Sequence, residues 1–156
     1  MSKKDDILVI RELIEEDVNS LKVLLDDLNS VLDLKQEFSE KTINDNYLEM
    51  IQYPDIYLNY AAIVNNELVG FLSLILYKNF LHKGGTALIN ELVVAETHRN
   101  KEIGKELIKK AVNSAKLRAM DEIEVGTEKS NIIAQNFYKK LGFNEEYLLL
   151  GKNFKY

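Results

Sequence analysis

The chain contains no cysteine and no tryptophan, a single proline and only two histidines. Without cysteine there can be no disulfide, no thiolate metal ligand and no thiol nucleophile, and the chain suits a reducing compartment. His82 and His98 are too few for a multi-histidine site, so no metal is expected. No apolar run approaches the roughly eighteen residues of a membrane span. The longest, around Phe71–Tyr77, has the length of a strand. Met1-Ser2-Lys3-Lys4-Asp5-Asp6 carries lysines but no following apolar stretch of signal-peptide length. Positive charge is in deficit: 20 lysines and arginines stand against 25 aspartates and glutamates, a net charge of −5. A nucleic-acid binder would carry a basic face or stripe. These absences lead us to expect a cytoplasmic protein that binds neither nucleic acid nor membrane.

What is present has an ordinary globular balance, 46% hydrophobic and 29% charged over 156 residues. That length fits a single domain spanning 1–156. Ile7–Leu13 is rich in β-branched residues and predicts a first strand. Glu15, Glu16 and Asp17 place acid where a helix start favours it, and Val18, Leu21, Leu24, Leu25 and Leu28 follow at helical spacing. Ser39–Gln52 carries a second helical stripe, stopped by Pro54. Tyr60–Val64 and Leu68–Tyr77 predict a strand pair around Asn65-Asn66-Glu67, a turn of residues that tolerate positive φ. After Gly84-Gly85, Thr86–Ala95 predicts a further strand. Ile103, Leu107, Ile108, Ala111, Val112 and Ala115 mark the apolar face of a third helix. Glu122–Gly126 alternates as a half-buried strand should. Ser130 or Asn131 can cap a fourth helix that ends at Gly142, and a closing strand is expected around Tyr147–Leu150. The fold class is α/β in the α+β sense, a mixed sheet covered by helices.

The segment Glu91–Gly104 carries the chemistry. A strand ends at Val94, a short polar loop follows, and a helix starts at once. A helix N-terminus presents unpaired N–H groups and partial positive charge. Gly104 would let an anion approach the backbone, and Arg99 and Lys101 add positive charge. Together these make a cradle for a pyrophosphate. The plain alternative is a strand-to-helix loop with a solvated arginine.

Here the chain resembles the GNAT N-acetyltransferases. Their acetyl-CoA loop reads Arg/Gln-x-x-Gly-x-Gly/Ala after a strand of the form acid-x-apolar-x-Val. This chain offers Glu91-Leu92-Val93-Val94, then Arg99-Asn100-Lys101-Glu102-Ile103-Gly104. Glu102 stands where the family has its first glycine. Asn131-Ile-Ile-Ala-Gln-Asn-Phe-Tyr-Lys-Lys-Leu-Gly-Phe143 is similar to the family's Asn-x-x-Ala-x-x-Phe-Tyr-x-x-x-Gly-Phe helix. The resemblance spans nearly the whole chain and is specific from about Asn90 to Phe143. It implies a mixed, mostly antiparallel, twisted sheet of about six to seven strands flanked by four helices.

The resemblance also implies roles. The thioester of acetyl-CoA would lie in a splay between Glu91–Val94 and Glu122–Gly126. Backbone amides of Leu92, Val93 and Val94 would bond the pantetheine arm and the acetyl oxygen, with a bulge near Val93 aiming one N–H. Arg99, Asn100, Lys101, Glu102, Ile103, Gly104 and Lys105 would hold the pyrophosphate, and Asn131 and Ala134 the CoA arm. Tyr138 matches the tyrosine near the thioester sulfur and is the implied general acid; by position alone it also reads as a core aromatic. Glu91 is the candidate base, acting directly or through a water, with a surface carboxylate as the plain alternative. His82 and His98 rank below it. Tyr47, Tyr53, Tyr57, Tyr60 and Asp55 lie where the family varies and recognises acceptors, although ordinary core and surface aromatics are the simpler reading.

The implied reaction is direct acetyl transfer from acetyl-CoA to a primary amine of a small molecule or protein. A homodimer is compatible, since strand-exchanging dimers occur in similar proteins. The alternatives are a CoA-binding module with little turnover, motivated by Glu102, and an interaction domain without CoA.

Overall fold

The computed structural model describes residues 7–32 and 39–154. Met1–Asp6, read above for a signal peptide, lies outside them. Five strands, Leu8–Glu12 (β1), Tyr57–Val64 (β2), Glu67–Tyr77 (β3), Thr86–Val94 (β4) and Glu122–Val125 (β5), form one sheet in the order β1-β2-β3-β4-β5. The first four are antiparallel, and β4 and β5 run parallel. The helices are Val18–Leu32 (α1), Glu40–Met50 (α2), Ile103–Leu117 (α3) and Ile132–Lys140 (α4). No described helix is long and apolar enough to cross a membrane.

Local chemistry explains most boundaries. Asn65 and Asn66 both take positive φ, 50° and 68°, and close the two-residue β2–β3 hairpin. The Ser39 hydroxyl accepts the Thr42 N–H (3.0 Å) and starts α2. Asn131 does the same for α4 through the Ala134 N–H (3.0 Å). Gly142, at φ 96°, ends α4 in the left-handed conformation that glycine adopts without strain. The acids Glu15–Asp17 form a short 3₁₀ turn ahead of α1. Buried Asp17 accepts both guanidinium nitrogens of Arg11 (2.6 and 2.9 Å) and the Ile14 N–H, which ties β1 to α1.

Each sheet face buries its own apolar layer. On one, Tyr60, Leu72, Leu74, Ile89, Leu107 and Ala111 pack under α3, joined by Phe137 and Tyr138 of α4. On the other, Ala61, Phe71 and Val93 pack under α1 and α2 through Leu21, Leu24 and Ile43.

The sheet has five strands, not six or seven: residues 143–154 contain no strand. Leu148, Leu149 and Leu150 stand 84, 89 and 82% exposed. A strand forms only against a partner, and the neighbouring free edge is β5. Glu122 and Glu124 on β5 and Glu145 and Glu146 on the tail carry the same charge, which opposes laying one along the other. Glu145 instead accepts the Tyr147 hydroxyl (2.6 Å) and Glu146 pairs with Lys139 (2.6 Å). The bond to Glu145 pushes the Tyr147 phenol up to about 12, and the charges of Glu145, Glu122 and Glu124 act in the same direction.

Candidate active site

The ladder between β4 and β5 runs from Thr86↔Glu122 to Ile89↔Val125 and stops there, while β4 continues to Val94. The two strands part at that point. The bulge in β4 also lies there, at Asn90: Ser73 of β3 faces Glu91, Leu74 faces Ile89, and Asn90 has no partner between them. This corrects the expectation of a bulge near Val93, where the register with β3 is regular. The reason lies in β3. The Ser73 hydroxyl, opposite the bulge, accepts the Glu91 N–H (3.2 Å).

One inserted residue reverses which face each later side chain occupies. Ala87 and Ile89 point to the α3 face, and after Asn90 that face is taken by Leu92 and Val94. Glu91 and Val93 thereby turn to the α1–α2 face. Glu91 is half-buried there, with Ser73 donating to one carboxylate oxygen and the Asn90 amide donating to the other (2.7 Å).

The backbone phase of upper β4 follows from one bond. The Ala95 N–H donates to the Val69 carbonyl (2.8 Å), so Ala95 and Val93 direct their amides at β3. Leu92 and Val94 direct theirs the other way, into the space that β5 has left. The Val94 carbonyl on that side accepts Arg99 Nε (3.2 Å). Of the three expected amides, two face the opening and Val93 faces β3.

The α3 start lies just beyond. Its first helical bond runs from the Glu106 N–H to the Glu102 carbonyl (3.0 Å), leaving the amides of Ile103, Gly104 and Lys105 without intrahelical acceptors. Asn100 and Glu102 both hold positive φ, 61° and 63°. A glycine at 102 would meet that conformation without strain. The Glu102 carboxylate turns along the outside of the helix to Lys105, and that bond raises the Lys105 ammonium pKa. Lys101 is exposed. A Cβ at Gly104 would lie 3.3 Å from the Phe137 ring, so the small residue also eases the approach of α4 to α3.

The profile of the acetyltransferase (GNAT) family matches residues 25–143. The chain belongs to this family. Across 97% of both chains it is 26% identical to the aminoalkylphosphonate N-acetyltransferase of Salmonella typhimurium. Among solved structures, a transcriptional regulator from Bacillus halodurans superposes with a TM-score of 0.83 at 23% identity, covering 95% of this chain and 100% of that one. An aminoglycoside N-acetyltransferase in complex with CoA superposes with a TM-score of 0.81 at 17% identity, covering 98% and 99%. These structural likenesses show the fold.

In this GNAT domain Tyr138 is partly buried beside Phe137 and Phe143, with ring centroids at 5.3 and 5.7 Å. It packs against the apolar layer that includes Leu92, Val94 and Val125. Desolvation pushes its phenol up to about 12. Asn131 is occupied as the α4 cap, and Ala134 supplies the capped amide. Of the aromatic wall, Tyr60 does not belong: it is 2% exposed, and its hydroxyl bonds the Ser114 hydroxyl (2.7 Å) on the α3 face. Tyr47 and Tyr57 line a cleft of about 210 Å³ with Arg118, and Tyr53 and Tyr57 a smaller one, while Asp55 is exposed. His98 bonds the Thr97 hydroxyl (2.9 Å). His82 lies against Glu122 (3.2 Å) at the opposite end of β4 from the α3 start. Among the described residues no cluster of His, Cys, Asp or Glu could hold a metal.

Sequence reasoning missed Ser73 and Asn90. The signals were a lone serine in Phe71-Leu72-Ser73-Leu74-Ile75-Leu76, and a polar Asn90 beside Glu91 interrupting the apolar Ala87-Leu88-Ile89 and Leu92-Val93-Val94.

Proposed function

We propose that this GNAT protein, as one domain over 1–156, moves an acetyl group from acetyl-CoA to a primary amine of a small molecule or protein in the cytoplasm. The observation that carries the reading is the parting of β4 from β5 beside the start of α3, which leaves the Leu92 and Val94 amides facing an opening. The named activities of the relatives support it: one acetylates an aminoalkylphosphonate, and a neighbour of the same fold was solved with CoA.

In this reading the free amides of Ile103, Gly104 and Lys105 receive the pyrophosphate. Asn100, Lys101 and Glu102 shape the loop before them, and Arg99 adds charge. Asn131 and Ala134 border the CoA arm. The amine nitrogen attacks the thioester carbon, and an amide of Leu92 or Val94 stabilises the oxyanion, an effect on the order of 3 kcal/mol in a dry site. Glu91, on the α1–α2 face, takes the amine proton directly or through a water. The carbon–sulfur bond then breaks, giving the acetamide and CoA thiolate.

Tyr138, on the opposite face, donates a hydrogen bond to the departing sulfur. A phenol near 12 is fully protonated at neutral pH. It is the candidate general acid for the leaving thiolate.

Calorimetry with acetyl-CoA and thiol release with a panel of amines test the reading. Binding followed by amine-dependent release is expected, and an absence of binding removes the donor. Binding without release would favour the CoA-binding module; its motive was Glu102, whose carboxylate is engaged by Lys105. A homodimer belongs to the same proposal, because the exposed apolar Leu148–Leu150 tail offers a surface that a second copy would cover. Sedimentation of the wild type against a chain ending at Asn144 checks it: the shortened chain should be monomeric.

A further inference from the structure

We infer that Ser73 is a positioning residue: from β3 it fixes the bulge and aims the Glu91 carboxylate toward the amine.

Four polar or charged residues are buried among those described: Asp17, Ser73, Thr86 and Ser114. Three of them join separate parts of the fold. Asp17 binds Arg11, Thr86 donates to Glu122 (2.8 Å), and Ser114 bonds Tyr60. Ser73 differs. Both of its hydrogen bonds go to one residue, and that residue is Glu91. A hydroxyl has one proton and two lone pairs. Here the proton goes to the carboxylate and a lone pair receives the Glu91 N–H, so one atom sets both the backbone and the side chain.

A hydroxyl at 6% exposure within an apolar strand is costly unless it is bonded. Alanine would fill this position without that requirement. What serine adds is confined to Glu91. Among the described residues the only other group on the carboxylate is the Asn90 amide, and no described lysine, arginine or histidine lies within ion-pair distance of it. Two neutral donors, one per oxygen, therefore set its direction.

The inference rests on Glu91 acting as the base, and the experiment separates the two ideas. Rates of thiol release are measured from pH 5 to 9 for the wild type, Ser73→Ala, Ser73→Thr, Glu91→Gln and the Ser73→Ala/Glu91→Gln pair. The urea midpoint of each variant accompanies them. Ser73→Ala should lower kcat about tenfold with the KM for acetyl-CoA unchanged. Ser73→Thr should recover most of the rate. In the Glu91→Gln background the alanine should have no further effect.

A raised KM for acetyl-CoA with kcat unchanged in Ser73→Ala overturns the inference. So does an equal loss in both backgrounds. If Glu91→Gln leaves rate and profile intact, the base assignment falls and the positioning role with it. If Glu91→Gln is inactive while Ser73→Ala matches wild type, only the positioning role is lost.

Discussion

Thr86–Ile89 is hydrogen-bonded on both sides, to β3 and to β5, whereas Glu91–Val94, just past Asn90 on the same strand, is paired to β3 alone. The first stretch buries Thr86, Ala87 and Ile89 almost completely. The second keeps Glu91 and Leu92 half-buried and turns two amides to open space. Each stretch is one polar residue followed by three apolar ones, so composition does not separate them. What separates them is Asn90, which reverses the facing, and the end of β5 at Val125, which removes a neighbour. A functional edge is made here by taking a partner away from a strand whose other half keeps it.

Deleting Asn90 attacks this difference most directly. Ile89 and Glu91 would then oppose Leu74 and Ser73 as consecutive residues, so the bulge is lost while Glu91 keeps its face. We expect acetyl transfer to fall about a hundredfold while the chain stays folded, because the local twist beside the opening goes with the bulge. Normal activity in the deletion would show that the bulge is irrelevant. Ile89→Ala probes the doubly paired half. It should cost about 3 kcal/mol in urea unfolding, the usual range for such a truncation, while the Kd for acetyl-CoA stays unchanged. A weakened Kd at equal foldedness would mean that the two halves are coupled.

Tyr138→Phe sharpens the assignment of the opening. Turnover should fall about tenfold to a hundredfold, with acetyl-CoA affinity nearly intact by calorimetry. An unchanged rate would take Tyr138 out of the reaction. The smallest effect is expected at the end of the upper half's loop. Glu102→Gly removes about 1–2 kcal/mol of left-handed strain and adds about 0.5–1 kcal/mol of unfolded-chain entropy. The net gain should be about 0.5 kcal/mol, read as a slightly higher urea midpoint. CoA binding should also tighten modestly; weaker binding would show that the Glu102–Lys105 contact favours the ligand.

Much of the fold was legible because its signals are local. The Asn65-Asn66 hairpin, the Ser39 and Asn131 caps, the Gly142 stop and the α3 stripe each depend on residues a few positions apart. The candidate loop and the Tyr138 helix were legible for the same reason. Features that depend on a distant partner were not. The bulge sits at Asn90 rather than Val93 because Ser73 lies opposite, and the hairpin register that places it there is tertiary. Tyr147–Leu150 has strand-like residues but no ladder to join. Tyr60 faces α3, which its position beside the variable region gave no means of knowing. The contact of Gly104 with the Phe137 ring was not legible either, because that ring is carried on a separate helix that only the folded chain brings near.

The strand order has a consequence for how the molecule is made. Every sheet neighbour is also a neighbour in sequence, from β1 through β5. Pairing can therefore proceed in the order in which residues leave the ribosome, each new strand meeting an edge already in place. Loop closures stay short wherever hairpins connect the strands, which favours rapid folding. The slow steps should be the two closures that enclose helices, β1 to β2 across α1 and α2 and β4 to β5 across α3.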